Sequence, residues 1–199
     1  MNETYLPRPS TILCLMAGLA LAACSGASGD PPLKGAAIGG PFTLTDQDGR
    51  TATDRDYAGR YRIMYFGFTH CPDVCPTDLA VLGQALRRFE KSDPARAARV
   101  TPIFVSVDPE RDTPAVLKEY VAAFHPRLVA LTGTPAQLAA MARRYGAYYA
   151  REPAAPGSGY NVNHSRLAEL IGPKGEPIAL LPYDKGAEAV AAELDRWVR

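Results

Sequence analysis

A chain of 199 residues, 47% hydrophobic and 22% charged, has the make-up of a globular protein with room for one buried domain plus an N-terminal extension. Its formal net charge of +1, with no basic run, excludes nucleic acid as an expected partner. Of four cysteines only Cys71 and Cys75 fall in the part that reads as folded, too few for a disulfide scaffold.

Thr11 to Ala23 is apolar but too short to span a bilayer comfortably, and it has the form of a secretory signal with small residues before a cleavage point. Leu21-Ala22-Ala23-Cys24 resembles the lipobox of bacterial lipoproteins. That resemblance implies that residues 1–23 are a signal peptide, and that lipidated Cys24 anchors the chain to a membrane of the bacterial cell envelope, facing the periplasm. The stretch 24–40 is rich in Gly, Ser, Ala and Pro and reads as a flexible tether. Residues 41–199 remain as the domain.

Within the domain, Phe42 to Thr45, the turn Asp46-Gln47-Asp48-Gly49 and Thr51 to Thr53 predict an N-terminal hairpin. Tyr61 to Phe68 is an unbroken apolar, aromatic run and reads as a buried strand. A helix follows from about Thr77 to Lys91, with Leu79, Leu82, Leu86 and Phe89 on one face. Val100 to Val107 reads as a second central strand. Pro114 then suits the first position of a helix behind a Thr or Asp cap. Leu128 to Leu131 is a short strand, and Thr134-Pro135 opens a third helix. Arg151 to Gly159 reads as a polar loop, followed by Tyr160 to His164, strands near Leu167 to Ile171 and Pro177 to Leu181, and a last helix from about Ala187 to Val198. This order is α/β, a central mixed sheet flanked by helices. With a cysteine pair leading the first helix, it suggests a thioredoxin-like fold.

Cys71 and Cys75 stand at the junction between the buried strand and the first helix, where the unpaired N–H groups of a helix start favour thiolate. On consecutive turns of a helical start their Cα atoms would be about 6 Å apart, close enough for a disulfide or for two sulfurs to converge on one metal ion. Spacing alone leaves redox and metal roles open. Three histidines accompany them. The side chain of His70 should point away from that of Cys71. His125, at a helix end, suits a structural role. His164, in Asn161-Val162-Asn163-His164-Ser165, reads by itself as a solvated loop residue. Asp108 and Asp112 read as caps of turns and of a helix start.

Phe66 to Pro76 (FGFTHCPDVCP), Ser106 to Thr113 (SVDPERDT) and the late Asn163-His164-Ser165 together resemble the Sco/SenC copper-binding proteins. The resemblance covers nearly the whole chain beyond Gly39. It implies a thioredoxin-like domain that binds one copper ion, as Cu(I) and Cu(II), through Cys71, Cys75 and His164. It implies delivery to cytochrome c oxidase, at a subunit with a dinuclear copper site, with other envelope copper chaperones and thiol reductases as further partners. Two thiolates suit Cu(I), and an imidazole lets a site hold Cu(II) too. The family usually places an acidic residue where this chain has Asn163, so tuning of the imidazole should differ. The competing expectation is a thiol-disulfide oxidoreductase using Cys71 and Cys75 as a redox disulfide, with His164 dispensable.

Overall fold

The computed structural model describes residues 29–153 and 159–199. The expected signal peptide and Cys24 lie outside the described residues, and among the described residues no helix is long and apolar enough to cross a membrane. The expected hairpin forms from Thr43–Asp46 (β1) and Thr51–Thr53 (β2). Asp46 builds its turn, with Oδ1 accepting from the N–H groups of Asp48 and Arg50 at 2.9 and 2.8 Å. Gly49 supplies the positive φ of +78° that the turn requires.

Next come Tyr61–Gly67 (β3), Val74–Ser92 (α1), the short Pro94–Ala97 (α2), Val100–Ser106 (β4) and Pro114–Ala122 (α3). Val129–Thr132 (β5), Pro135–Arg144 (α4), Tyr149–Pro153 (β6), Tyr160–His164 (β7), Ala168–Ile171 (β8), Pro177–Leu180 (β9) and Ala187–Trp197 (α5) complete the chain. Seven strands form one mixed sheet in the order β2-β1-β5-β4-β3-β8-β9. Its centre, β3-β4-β5, is parallel, and β1 and β8 join it antiparallel.

Every residue of β3 and β4 is buried, as a strand covered on both faces requires. The alternation of side chains along β3 splits the core in two. Tyr61, Ile63 and Tyr65 join Leu79, Leu82, Leu86 and Phe89 of α1 and Val190 and Leu194 of α5. Met64 and Phe66 join Leu138 and Met141 of α4 and the buried Tyr145.

Three features differ from the sequence reading. Helix α1 begins at Val74 rather than near Thr77, because Pro76 falls in the first turn, where its missing N–H breaks no helical bond. This places Cys75 inside the helix. Residues 151–153, expected in a loop, form β6, which pairs with β7 in a separate two-stranded ribbon. The compact unit that holds the fold spans Pro31–Arg199, so the stretch up to Gly40 is not all tether. The Leu33 N–H donates to the Ile178 carbonyl at 3.0 Å, the Gly39 N–H to the Arg144 carbonyl at 2.8 Å, and Ile38 packs against the second core cluster.

Candidate metal centre

Strand β3 ends at Gly67, and the chain turns through Phe68 to Asp73 before α1 begins. Cys75, in the first turn of α1, is fully buried. Its sulfur lies so close to the strand end that a Cβ on Gly67 would come within 2.6 Å of it, and within 3.0 Å of the Phe104 ring. A glycine is therefore the only residue that lets the buried sulfur sit here. Cys71 is half-buried, and its Sγ accepts the Cys75 N–H at 3.5 Å, so one of the free donors of the helix start points at sulfur. Both thiols are free. Burial pushes the Cys75 thiol well above the usual range, with the neighbouring Cys71 adding to the rise and a hydrogen bond from the Phe68 backbone opposing it. Cys75 is therefore a protonated thiol at neutral pH.

The third element is the ribbon. Its strand β7 ends at His164, whose Nε2 lies 3.2 Å from Cys75 Sγ. Nδ1 lies 3.1 Å from the Ser165 carbonyl, to which an Nδ1–H donates, leaving the Nε2 lone pair facing the sulfurs. Ser165 is itself pinned, its N–H donating to the Tyr148 carbonyl at 2.9 Å. Phe68 and Tyr65 meet the imidazole edge-on, with ring centroids at 5.7 and 6.5 Å. Burial in this aromatic setting lowers the imidazole pKa, and the Ser165 carbonyl offsets part of the shift, so His164 is neutral at pH 7 and ready to donate its lone pair.

Two buried carboxylates from the loop after β4 brace these parts. Asp112 accepts from the Thr69 N–H at 3.0 Å, the Thr69 hydroxyl at 2.6 Å and the Ser106 hydroxyl at 2.5 Å, fixing the turn that leads to Cys71. Asp108 accepts from the Tyr160 hydroxyl at 2.6 Å and from Arg111, fixing the far end of the strand that carries His164. The guanidiniums of Arg111 and Arg151 both stand over the Tyr160 ring, at 3.9 and 4.3 Å from its centre. The expectation that these aspartates are simple caps is thereby corrected. Thr113 caps α3, accepting the Val116 N–H, and both aspartates are wholly buried.

The sulfurs of Cys71 and Cys75 and a ring nitrogen of His164 all lie within 4.8 Å of one another. Three ligands at 2.0–2.3 Å around one ion are about 3.5–4 Å apart, so the cluster needs little closing to hold a metal. Two sulfurs and one imidazole form a soft donor set that suits copper. Cys71 and His164 line a groove of about 440 Å³, with Cys75 buried behind it, while a larger recess of about 640 Å³ beside β6 and α4 contains none of the three.

The remaining histidines stand elsewhere. His70 is exposed, its Nδ1 3.0 Å from the Thr69 hydroxyl and 3.7 Å from Asp112. His125 is buried with Nε2 3.4 Å from Glu90, and burial lowers its pKa. It is structural as expected, but as a neutral core group rather than a cation at a helix end. Asn163 donates to Glu152 of β6 at 3.3 Å, and both line the groove beside Cys71 and His164. Sequence reasoning missed Asp78 and Arg166. Asp78 is buried one turn beyond Cys75 and is paired with Arg166 at 2.7 Å. An aspartate on the apolar face of a helix was the only signal available.

The family model SCO1/SenC matches residues 30–199. The human protein "SCO1 homolog, mitochondrial" is 40% identical over 162 residues, covering 81% of this chain and 53% of its own length. The chain thus spans about half the length of such curated relatives. The solved structure of Bradyrhizobium japonicum ScoI with copper bound superposes with a TM-score of 0.72 at 41% identity, covering 80% of this chain and 99% of that one. The thioredoxin domain of a Bacteroides vulgatus thiol-disulfide oxidoreductase, at 13% identity and a TM-score of 0.55 over 81% of this chain and 96% of that one, shares the fold alone. The thioredoxin-like expectation therefore holds. The expected location does not: the relatives from human, Arabidopsis and yeast are mitochondrial by name, which points away from a lipoprotein of a bacterial envelope.

Proposed function

Because the chain belongs to the SCO1/SenC family, we propose that it is a copper chaperone for cytochrome c oxidase assembly, carrying one copper ion on Cys71, Cys75 and His164. The observation that carries this reading is the convergence of those three donors within 4.8 Å, from strand-loop, helix and ribbon. Copper is the cargo. Cu(I) is satisfied by the two sulfurs, and the Nε2 lone pair of His164 provides the harder donor that Cu(II) prefers. Three ligands leave room for an incoming ligand from a partner, so copper passes by ligand exchange. The recipient is a copper-carrying subunit of the oxidase, with its dinuclear site as the target.

The raised pKa of Cys75 means that a redox reaction would have to use the half-buried Cys71 as the attacking sulfur, and that copper has to displace a proton from Cys75. A buried, protonated thiol is a poor attacking nucleophile, whereas a soft cation displaces its proton on binding. Copper uptake should therefore release protons and strengthen as pH rises. The second reading rests on two free thiols four residues apart, with the Cys71 sulfur against the Cys75 N–H at 3.5 Å. Cys71 and Cys75 would give two electrons and two protons to a partner's disulfide and become bridged themselves.

The test uses the full chain, reduced, loaded with copper and desalted. About one copper per chain should remain, fall to background in Cys71→Ser and Cys75→Ser, and be held more weakly in His164→Ala. A wild type that retains no copper, while it reduces disulfides and His164→Ala does so equally well, selects the oxidoreductase.

A further inference from the structure

His164 is held in place by little apolar packing of its own ribbon. Of the residues of β6 and β7, only Val162 is buried. Its position must come from particular contacts on either side. Four residues before it, Tyr160 is tied to Asp108. Two residues after it, Arg166 reaches across to α1, with Nη2 2.7 Å from Asp78 Oδ1 and Nε 3.2 Å from Oδ2. Asp78 is only 2% exposed, and it lies three residues past Cys75 on the same helix. The Tyr65 hydroxyl donates to the same carboxylate at 2.8 Å. On the outer side the Tyr183 ring stands 5.4 Å from the Arg166 guanidinium, and its hydroxyl donates to the Arg166 carbonyl. Asp78 is thus a knot joining the helix that carries Cys75 to the segment that carries His164.

We propose that the Arg166–Asp78 pair is a positioning clamp that sets how far His164 reaches toward the copper bound by Cys71 and Cys75. The inference rests on the copper reading above. A guanidinium gripping a carboxylate with two nitrogens fixes angle as well as distance, which a lysine cannot do. Among the described residues no hydrogen bond joins Arg166 to any of the three donors, so the proposed action on copper runs through the segment that carries His164, two residues away. Groups that orient metal ligands from outside are typically worth 10–100-fold in metal affinity, and removal of Arg166 would also leave the buried Asp78 carboxylate unpaired, a cost to folding that has to be separated from the effect on copper.

The experiment is a double-mutant cycle in the full chain. It measures Cu(I) affinity by competition with a chromophoric chelator, and records the sulfur-to-copper absorption band of the Cu(II) form. Arg166→Met should weaken copper binding about tenfold and shift the Cu(II) band. In the His164→Ala background the same substitution should cost less than about twofold, because the group it positions is gone. Arg166→Lys should keep part of the affinity, and it decides the same comparison should Arg166→Met unfold. Equal losses in both backgrounds would show a general destabilisation and overturn the clamp. So would an Arg166→Met protein with wild-type affinity and spectrum. A wild type that binds no copper overturns the copper reading itself, and the clamp with it.

Discussion

The two halves of the donor set are held by opposite means. The cysteine half is built into the core: β3 is buried along its whole length, and the Cys75 sulfur occupies the space left by a missing side chain at Gly67. The histidine half stands on a two-stranded ribbon with a single buried residue, braced by the buried Asp108, the Asp78–Arg166 pair and aromatic edges. Packing fixes the sulfurs, and directional polar contacts fix the imidazole. Damage to the first half should therefore register as lost stability, and damage to the second as lost geometry in a protein that stays folded.

The hardest blow to the core half is Gly67→Ala. Its Cβ would meet sulfur at 2.6 Å, the Phe104 ring at 3.0 Å and the Tyr65 ring at 3.2 Å, so something must shift. A loss of about 3 kcal/mol is expected, read from urea unfolding, together with loss of copper retention. An Ala variant with an unchanged midpoint would show that the sulfur is not confined as described.

A second expected effect separates the sheet from the ribbon by pH. Glu169 of β8 is 1% exposed, neither of its oxygens has a hydrogen-bond partner, and burial pushes its carboxyl up to about 8. The folded state thus holds a proton that the unfolded state gives up near pH 4.5. The contribution to stability is full below pH 4.5 and is lost as pH rises toward 8. Glu169→Gln should remove a decline of roughly 3–4 kcal/mol between pH 5 and 8, read by unfolding at both values, with copper affinity unaltered. Parallel pH profiles for the variant and the wild type would contradict the buried neutral carboxyl.

On the ribbon, Tyr160→Phe removes the hydroxyl that meets Asp108 at 2.6 Å and should cost about 1 kcal/mol. The loss should be concentrated in faster hydrogen exchange of the β7 amides rather than in global unfolding. Uniform acceleration across the sheet would erase the distinction between the halves. The smallest effect is expected at Arg151→Gln, which breaks an ion pair with Glu110 whose side chains are 45% and 59% exposed. No change outside the error of a urea unfolding measurement is expected, since Arg111 still stands over the Tyr160 ring at 3.9 Å.

The core half was also the legible half. Tyr61 to Phe68 declares a buried strand by its unbroken apolar run, and the Leu79, Leu82, Leu86 and Phe89 spacing declares the face of α1, because both patterns are local. The ribbon was not legible for the same reason. Arg151, Glu152 and Pro153 are exposed on β6 and carry no alternation that a buried strand would impose. His164, unremarkable on its own, gained weight only from resemblance to a family. Asp108 and Asp112 have the spacing of caps, and only their partners Tyr160, Thr69 and Ser106 reveal them as buried braces. Arg166 and Asp78 stand 88 residues apart, a separation at which sequence offers no periodicity to read.

One asymmetry among the donors gives the proposed traffic of copper a direction. Cys75 is sealed, with no exposed surface, while Cys71 is half-buried beside the groove that His164 also lines. A partner's ligand can approach only from the open side, so it displaces His164 or Cys71 first and Cys75 last. The buried sulfur then acts as a latch. In the proposed transfer this sulfur would hold the ion until a recipient has committed a donor of its own, which would keep copper from escaping to water on the way.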